Sequence, residues 1–596
     1  MREAEKILGI LNEKGKNGLS LDRLYRLLYN PELYLLAYSK ISRNAGALTP
    51  GTTGETADGM SREKVETIIQ EVKGERFRWK PARRLHIPKK NGQRRPLSIP
   101  NWKDKILQGV LQMILEAYYE PQFTLNSHGF RKGYGCHTAL QQVKMNWQGV
   151  TWFIEGDIKG CFDNINHDIL LDILSRKIHD NRFLRLIRNL LKAGYVENWT
   201  YHRTHSGTPQ GGIVSPILAN IYLNELDSYI EESLIPIHTK GEARRTNLEY
   251  AKIKERIKRL HKKEEHGEAL KLQKHLYTLP KGDLNDPNYQ RLMYIRYADD
   301  FLVGFIGPIQ EAKQIKEKVK DFLSDKLGLE LSQEKTLITH AASGRAHFLG
   351  YEINKELCNT KLTLIKQGSQ KGRKRRAING LIVLRVPEEV IRKKCQQFMK
   401  KGKPSARNML IHETDFSIMA KYQGELRGLV QYYLLAKNVS SLYKVKYVME
   451  TSMLKTLAAK HKSTVNKVAA KYKSSVDSYK CFAVSVIREQ KAPLIVRFGG
   501  FPIRHQKRVT TLQDADNRYT AYFERRNKLL KRLLAESCEV CNSRESCEVH
   551  HVRKMANLRY RDGRPKTDPW TRRMVDLQRK TLVVCRPCHL QIHAKK

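Results

Sequence analysis

Acidic residues are what this chain is short of. It carries 61 Asp and Glu against 109 Lys and Arg, a net charge of +48 over 596 residues. An imbalance of that size points to a polyanionic partner, nucleic acid first and an anionic membrane second. Long apolar runs are missing as well. No stretch approaches the roughly 18–20 apolar residues needed to span a bilayer, so no membrane partner of the spanning kind is expected. Met1-Arg2-Glu3-Ala4-Glu5-Lys6 mixes charges and has no signal-peptide core, which sets the expectation of a cytoplasmic protein in a bacterial-type cytosol. Internal repeats and low-complexity tracts are absent, which excludes a repeat architecture. Cysteine is sparse until the end: Cys136, Cys161, Cys358, Cys395 and Cys481 are scattered and read as reduced thiols.

What is present begins with length, enough for several domains with real cores. Residues 21–80 read as helical, with apolar stripes at Leu24, Leu27, Leu28 and at Leu33, Leu36. Asn91-Gly92 between two short basic flanks, Arg83–Ile87 and Arg94–Leu97, predicts a hairpin. Residues 151–158 read as a strand and 167–192 as helix. Residues 235–290 form a charged helical insertion, striped by Tyr250, Ile253, Ile257 and Leu260 and otherwise dense in Lys, Arg and Glu. A solvated excursion is the plain explanation for it, RNA contact the second. The basic run Lys371–Arg376 reads as a boundary, 387–475 as helical, and 476–530 as basic and weakly periodic.

The chemistry lies in three carboxylates. Tyr297-Ala298-Asp299-Asp300 joins two runs rich in β-branched and aromatic residues, so two adjacent acids sit at a turn between strands. Asp-Asp in a turn is commonly no more than a solvated turn. Here a third carboxylate, Asp157, ends the apolar strand Trp152–Gly156, and antiparallel pairing in one sheet would bring it to the other two. Three carboxylates at one point repel unless cations relieve them, and a two-metal centre needs ligands from both sides. Two Mg²⁺ ions would activate a primer 3′-hydroxyl and neutralise a leaving pyrophosphate. Between these segments, Thr208-Pro209-Gln210-Gly211-Gly212 allows close backbone approach, with Gln210 available to orient a base or sugar.

The C-terminus holds a second centre. Cys538-x-x-Cys541 and Cys585-x-x-Cys588 form a four-thiolate set suited to tetrahedral Zn²⁺, with Cys547 outside the spacing. His550-His551 and Asn557 lie between the pairs. His589 and His593 follow at i, i+4 on one helical face; they either join the zinc shell, which the thiolates already fill, or serve a separate centre.

Taken in order, Asp157 with Phe162, Thr-Pro-Gln-Gly-Gly, Tyr-Ala-Asp-Asp, Leu331–Thr336 and Phe348-Leu349-Gly350-Tyr351 resemble the reverse transcriptases of the group II intron-encoded protein family. Glu425-Leu426-Arg427-Gly428 with Tyr432-Tyr433 resembles that family's maturase region, and the Cys/His end its HNH endonuclease. The resemblance implies a multidomain α+β protein. Its parts would be an N-terminal helical extension of the fingers over 1–80, right-hand fingers and palm over 81–360, and an all-α maturase thumb over 375–475. A DNA-binding region would follow over 476–530 and a zinc-stapled ββα-metal HNH module over 531–596. It implies that Asp157, Asp299 and Asp300 bind Mg²⁺ and that Phe162 abuts the sugar 2′ position. Arg84 and Arg95, or their neighbours Arg83 and Arg94, would hold the triphosphate, and Lys335 would donate a proton to pyrophosphate. Arg427, Lys455 and Lys460 would contact RNA. In the HNH module, His551 would be the general base, Asn557 would orient it, and His550, His589 and His593 would bind a catalytic metal. Intron RNA, target double-stranded DNA and dNTPs are the implied partners, with a homodimer as an open option. The implied function is splicing assistance, nicking of one DNA strand and reverse transcription from the nick. A splicing-only maturase and a stand-alone reverse transcriptase remain open beside it.

Overall fold

The computed structural model describes residues 2–44, 46–88, 92, 94–208, 211–364, 372, 374–488, 491–507, 528–558, 566–577 and 579–594. Three N-terminal helices, Arg2–Lys16, Pro31–Ile41 and Arg62–Lys73, open the fold. Local chemistry starts two of them. Asn30 accepts from Glu32 N at 2.8 Å with Pro31 in the first turn, and Ser61 accepts from Lys64 N at 3.3 Å. They surround helix Trp102–Tyr119, whose Val110, Leu111 and Ile114 are fully buried. The leucine stripe expected there is buried at Leu24, Leu28, Leu33 and Leu36.

The Asn91-Gly92 expectation is met around its tip: strands Ala82–Pro88 and Arg94–Ile99 pair antiparallel from Arg83↔Ile99 to Pro88↔Arg94. The palm is a five-stranded sheet in the order Ser127–His128, Arg291–Tyr297, Asp300–Ile306, Trp152–Asp157, Ile338–His340. Before it, the insertion forms a helical hairpin, Leu248–Lys262 and His266–Leu276, which buries Ile257, Leu260, Ala269 and Leu276. A three-stranded sheet, Ala346–Phe348, Tyr351–Leu364 and Lys374–Arg385, carries the chain to the thumb.

The thumb packs helices Glu388–Gln396, Asp415–Tyr432, Leu442–Lys460 and Val465–Tyr472 around a core that runs on into the palm through Phe153, Ile295 and Leu302. Strands Lys473–Val476, Tyr479–Arg488 and Lys491–Gly499 then form a sheet, most of it in the stretch read as basic and weakly periodic. The alternation is real but diluted. Phe482↔Phe498 and Val484↔Val496 pair on one face, while Ala483↔Arg497 and Ser485↔Ile495 fill the other. Buried Phe498 packs edge-on against Tyr422, and Gly499 N donates to Gln423 Oε1 at 3.0 Å, so this sheet shares the thumb core. The chain ends in a ββα unit: strands Cys547–His551 and Thr581–Cys585, then helix Arg586–Ala594. No helix among the described residues is long and apolar enough to cross a membrane.

Candidate active sites

In the palm, strand register does the assembly. Asp157 is the direct antiparallel partner of Asp300, and Tyr297 pairs Asp300 across a two-residue turn of Ala298 and Asp299. Gly156 makes this pairing possible, because a Cβ there would lie 2.1 Å from the Phe301 ring. Ala298 has a left-handed φ of 55°, a conformation that favours glycine. It is held from below: its N–H donates to His128 O at 3.0 Å, and its carbonyl accepts from Arg296 Nη1 at 2.9 Å. Gly129 lies so close that a Cβ on it would meet Ala298 N at 2.8 Å. Arg296 is wholly buried, as is Asp227. Its Nε and Nη2 reach the Asp227 carboxylate at 2.8 and 2.5 Å, and Tyr294 OH donates to the same group at 2.8 Å.

The three carboxylates fit a cation centre by their mutual repulsion. Burial, then Asp299 and Asp157, push the Asp300 carboxyl up to about 7. Burial also raises Asp299, Asp157 adding to the rise and Arg95 opposing it. Lys335 lies over Asp157, its Nζ donating to Oδ2 at 2.9 Å and Oδ1 at 3.1 Å. The turn bearing Lys335 is fixed to the same strand, since Ser332 N donates to Asp157 O at 2.9 Å. Phe162 is half-buried, edge-on to Phe130 at 5.9 Å, and its carbonyl accepts from Thr208 N at 2.7 Å. Gln210 lies outside the described residues.

The fingers arginines divide. Cross-strand partners share a face and neighbours alternate, so Arg83 and Arg95 lie on one face of the hairpin and Arg84 and Arg94 on the other. Arg84 stacks on Tyr195, 3.4 Å from its ring centre. Expecting Arg84 and Arg95 to converge on one triphosphate conflicts with this register.

At the other end of the chain, Cys538, Cys541, Cys585 and Cys588 bring their sulfurs within 4.8 Å of one another. Cys538 Sγ accepts from Val540 N and Cys541 N, both at 3.4 Å, and Cys547 stands outside the set. The histidines do not join the thiolates. His550, His589 and His593 cluster with Asp58, again within 4.8 Å. His550 is fully buried, and its Nδ1 lies 3.4 Å from Asp58 Oδ1. Asp58 comes from the fingers extension. Its Oδ2 is 2.8 Å from His593 Nε2, and its Oδ1 accepts from His551 N at 2.7 Å. His551 is 6% exposed, and its Nε2 is hydrogen-bonded to Tyr38 OH at 2.8 Å. Burial brings its imidazole down to about 4, Asp58 opposing. Asn557 was expected on that ring. It is exposed in the turn Met555–Leu558, and Tyr38 provides the hydrogen bond on Nε2 instead.

Three family models match in order: reverse transcriptase (RNA-dependent DNA polymerase) over residues 87–353, type II intron maturase over 380–501, and the AI2M/AI1M-like HNH endonuclease over 538–589. The group II intron-encoded protein LtrA of Lactococcus lactis subsp. cremoris is 40% identical over 96% of this chain and 95% of its own. This chain is a group II intron-encoded protein. The putative COX1/OXI3 intron 1 protein of Saccharomyces cerevisiae is 33% identical over the whole chain and 71% of its own length. A 91 kDa protein in a cob intron of Schizosaccharomyces pombe is 34% identical over 98% of this chain and 72% of its own. The group II intron-encoded protein therefore combines an RNA-directed DNA polymerase, a maturase and a DNA endonuclease, with intron RNA and DNA as substrates. Both enzyme classes use divalent metals, and the four-cysteine cluster is compatible with zinc.

Within the maturase part of this group II protein, Tyr432 OH donates to Leu349 O at 2.7 Å and Tyr433 OH to Gly350 O at 3.0 Å, tying thumb to palm. Arg427 is exposed. Lys455 and Lys460, expected to face RNA, donate inward: Lys455 to Pro404 O at 2.8 Å, Lys460 to Glu413 O at 2.7 Å and Asp415 Oδ1 at 2.6 Å. Sequence reasoning missed Asp58, Tyr38 and the Arg296–Asp227 pair. Asp58 and Tyr38 both lie in residues 21–80, which the sequence marked only as helical with leucine stripes.

Proposed function

We propose that Asp157, Asp299 and Asp300 hold Mg²⁺, the hard ion their oxygens favour, that the four cysteines hold a structural Zn²⁺, and that His550, His589 and His593 hold the nuclease ion. When bound, these ions activate the primer 3′-oxygen and neutralise pyrophosphate in the palm, and polarise the scissile phosphate in the HNH centre. The side chains do the rest. Lys335, beside Asp157, passes a proton to the departing pyrophosphate. Phe162 closes the space a ribose 2′-hydroxyl would need, and Gln210 orients the incoming base or sugar. Arg95, whose charge reaches Asp299, holds the triphosphate of a dNTP, joined by Arg83 from the same face. Arg427 contacts intron RNA from the open side of its helix, while Lys455 and Lys460 shape that surface. His551 takes the proton from the water that cuts DNA.

In sequence, the intron RNA enters one DNA strand, the HNH module nicks the other, and the palm extends the nick by copying RNA. A bacterial-type cytosol is the compartment, and a homodimer is compatible with the reading. The observation that carries it is the direct pairing of Asp157 with Asp300 at the Asp299 turn. Asp299→Ala and His551→Ala, each assayed for primer extension and second-strand nicking, test it. Asp299→Ala is expected to lose only extension and His551→Ala only nicking; joint loss in either variant refutes two separate sites.

A further inference from the structure

The HNH centre is closed by residues that do not belong to it. Three imidazoles come from the C-terminal module, and the fourth donor, Asp58, comes from the loop before helix Arg62–Lys73. A fourth protein donor takes a coordination position that a phosphate oxygen could otherwise use. Asp58 sits among the three imidazoles, its Oδ1 3.4 Å from both His550 Nδ1 and His589 Nε2 and its Oδ2 2.8 Å from His593 Nε2. His551 is blocked as well. A general base must come within about 2.6–3.2 Å of the water it deprotonates, and that range around Nε2 is filled by the hydroxyl of Tyr38, itself fully buried.

The contact is organised as a seam. Gly59 N donates to Val549 O at 2.9 Å and Val549 N to Met60 O at 3.0 Å, a two-bond bridge between the loop and the first HNH strand. Arg62 Nη1 meets Glu536 Oε1 at 2.5 Å, with both side chains about half exposed. Gly59 has a left-handed φ of 73°, and a Cβ on it would come within 3.4 Å of His589 Cε1. We infer that the Asp58 loop and Tyr38 are an autoinhibitory clamp, and that the HNH module cuts DNA only after it is pulled from the fingers extension. The inference rests on reading His551 as general base. Its consequence is temporal. A module with its base sealed cannot nick arbitrary DNA, so second-strand cutting is confined to complexes in which DNA engagement separates the seam.

The test uses full-length protein bound to its intron RNA, with Tyr38→Phe, Asp58→Asn and Gly59→Val. Gly59→Val opens the seam without removing a donor, and primer extension reports intact folding of the polymerase. Amide exchange over 547–551 and nicking of a supercoiled plasmid lacking the target are measured together. Tyr38→Phe and Gly59→Val are expected to raise exchange about tenfold and plasmid nicking about fivefold, extension being unchanged. Asp58→Asn is expected to move in the same direction. Faster exchange without faster nicking overturns the clamp. So does loss of nicking with unchanged exchange, which would make Asp58 and Tyr38 working parts of the nuclease. Adding His551→Ala to Gly59→Val separates the two readings: persistent nicking removes His551 as base, while faster exchange in the same variant leaves the seam standing.

Discussion

The two catalytic centres of this chain are built by opposite means. The palm centre comes from one sheet, where neighbouring strands put Asp157 against Asp300 and a turn adds Asp299. Lys335 beside it is 66% exposed. The HNH centre takes three histidines from a small module and closes on Asp58 and Tyr38, which lie 493 and 513 residues away from His551. A centre assembled by strand register is complete once its sheet folds. A centre completed by a distant loop can be made or unmade by moving a domain.

Four experiments break or sharpen that comparison. Asp299→Asn carries the largest effect: primer extension falls about 10³-fold or more, and nicking in the same preparation stays at the level of the parent. Next comes Cys585→Ser. It removes one thiolate from the strand leading into the His589 helix, so zinc measured by atomic emission is lost and nicking falls about a hundredfold or more, with extension kept. Third, Asp227→Leu strands a buried guanidinium beneath the Asp299 turn. It lowers palm stability by about 3–5 kcal/mol in denaturant titration, whereas Asp227→Leu with Arg296→Met loses less because no charge is left unpaired. If the double variant is the worse of the two, the pair is not acting through buried charge.

The smallest effect is a pH dependence. Burial pushes His128 down to about 4. Folded His128 therefore stays neutral where an unfolded histidine, near 6.5, takes a proton. Stability is unaffected above about 6.5 and declines as pH falls from there toward 4, by up to about 3 kcal/mol. His128→Gln flattens that limb of the stability profile if His128 is the cause.

The palm was legible because its chemistry is local. Runs of β-branched and aromatic residues mark the strands, an Asp-Asp turn marks the hairpin, and pairing follows. Cys-x-x-Cys spacing and the His589/His593 repeat were readable for the same reason. Asp58 was not, because a single carboxylate before a glycine leaves no periodic trace and its partners lie at the far end of the chain. Lys455 and Lys460 misled for a related reason: a basic helix position looks alike whether its ammonium faces phosphate or caps a neighbouring carbonyl. The arginines of the fingers hairpin were placed on the correct strands, yet only the register tells that Arg84 and Arg95 lie on opposite faces.

Beneath the paired acids, three small residues set a limit of size. A methyl at Gly156 would strike Phe301, one at Gly129 would strike Ala298, and Ala298 itself holds a left-handed backbone. In a saturation library selected for cDNA synthesis, these positions will be depleted of large and β-branched side chains as sharply as the aspartates are of everything else. Protein neighbours and backbone angle set all three limits, so the copying centre has a floor that only the smallest side chains can tile.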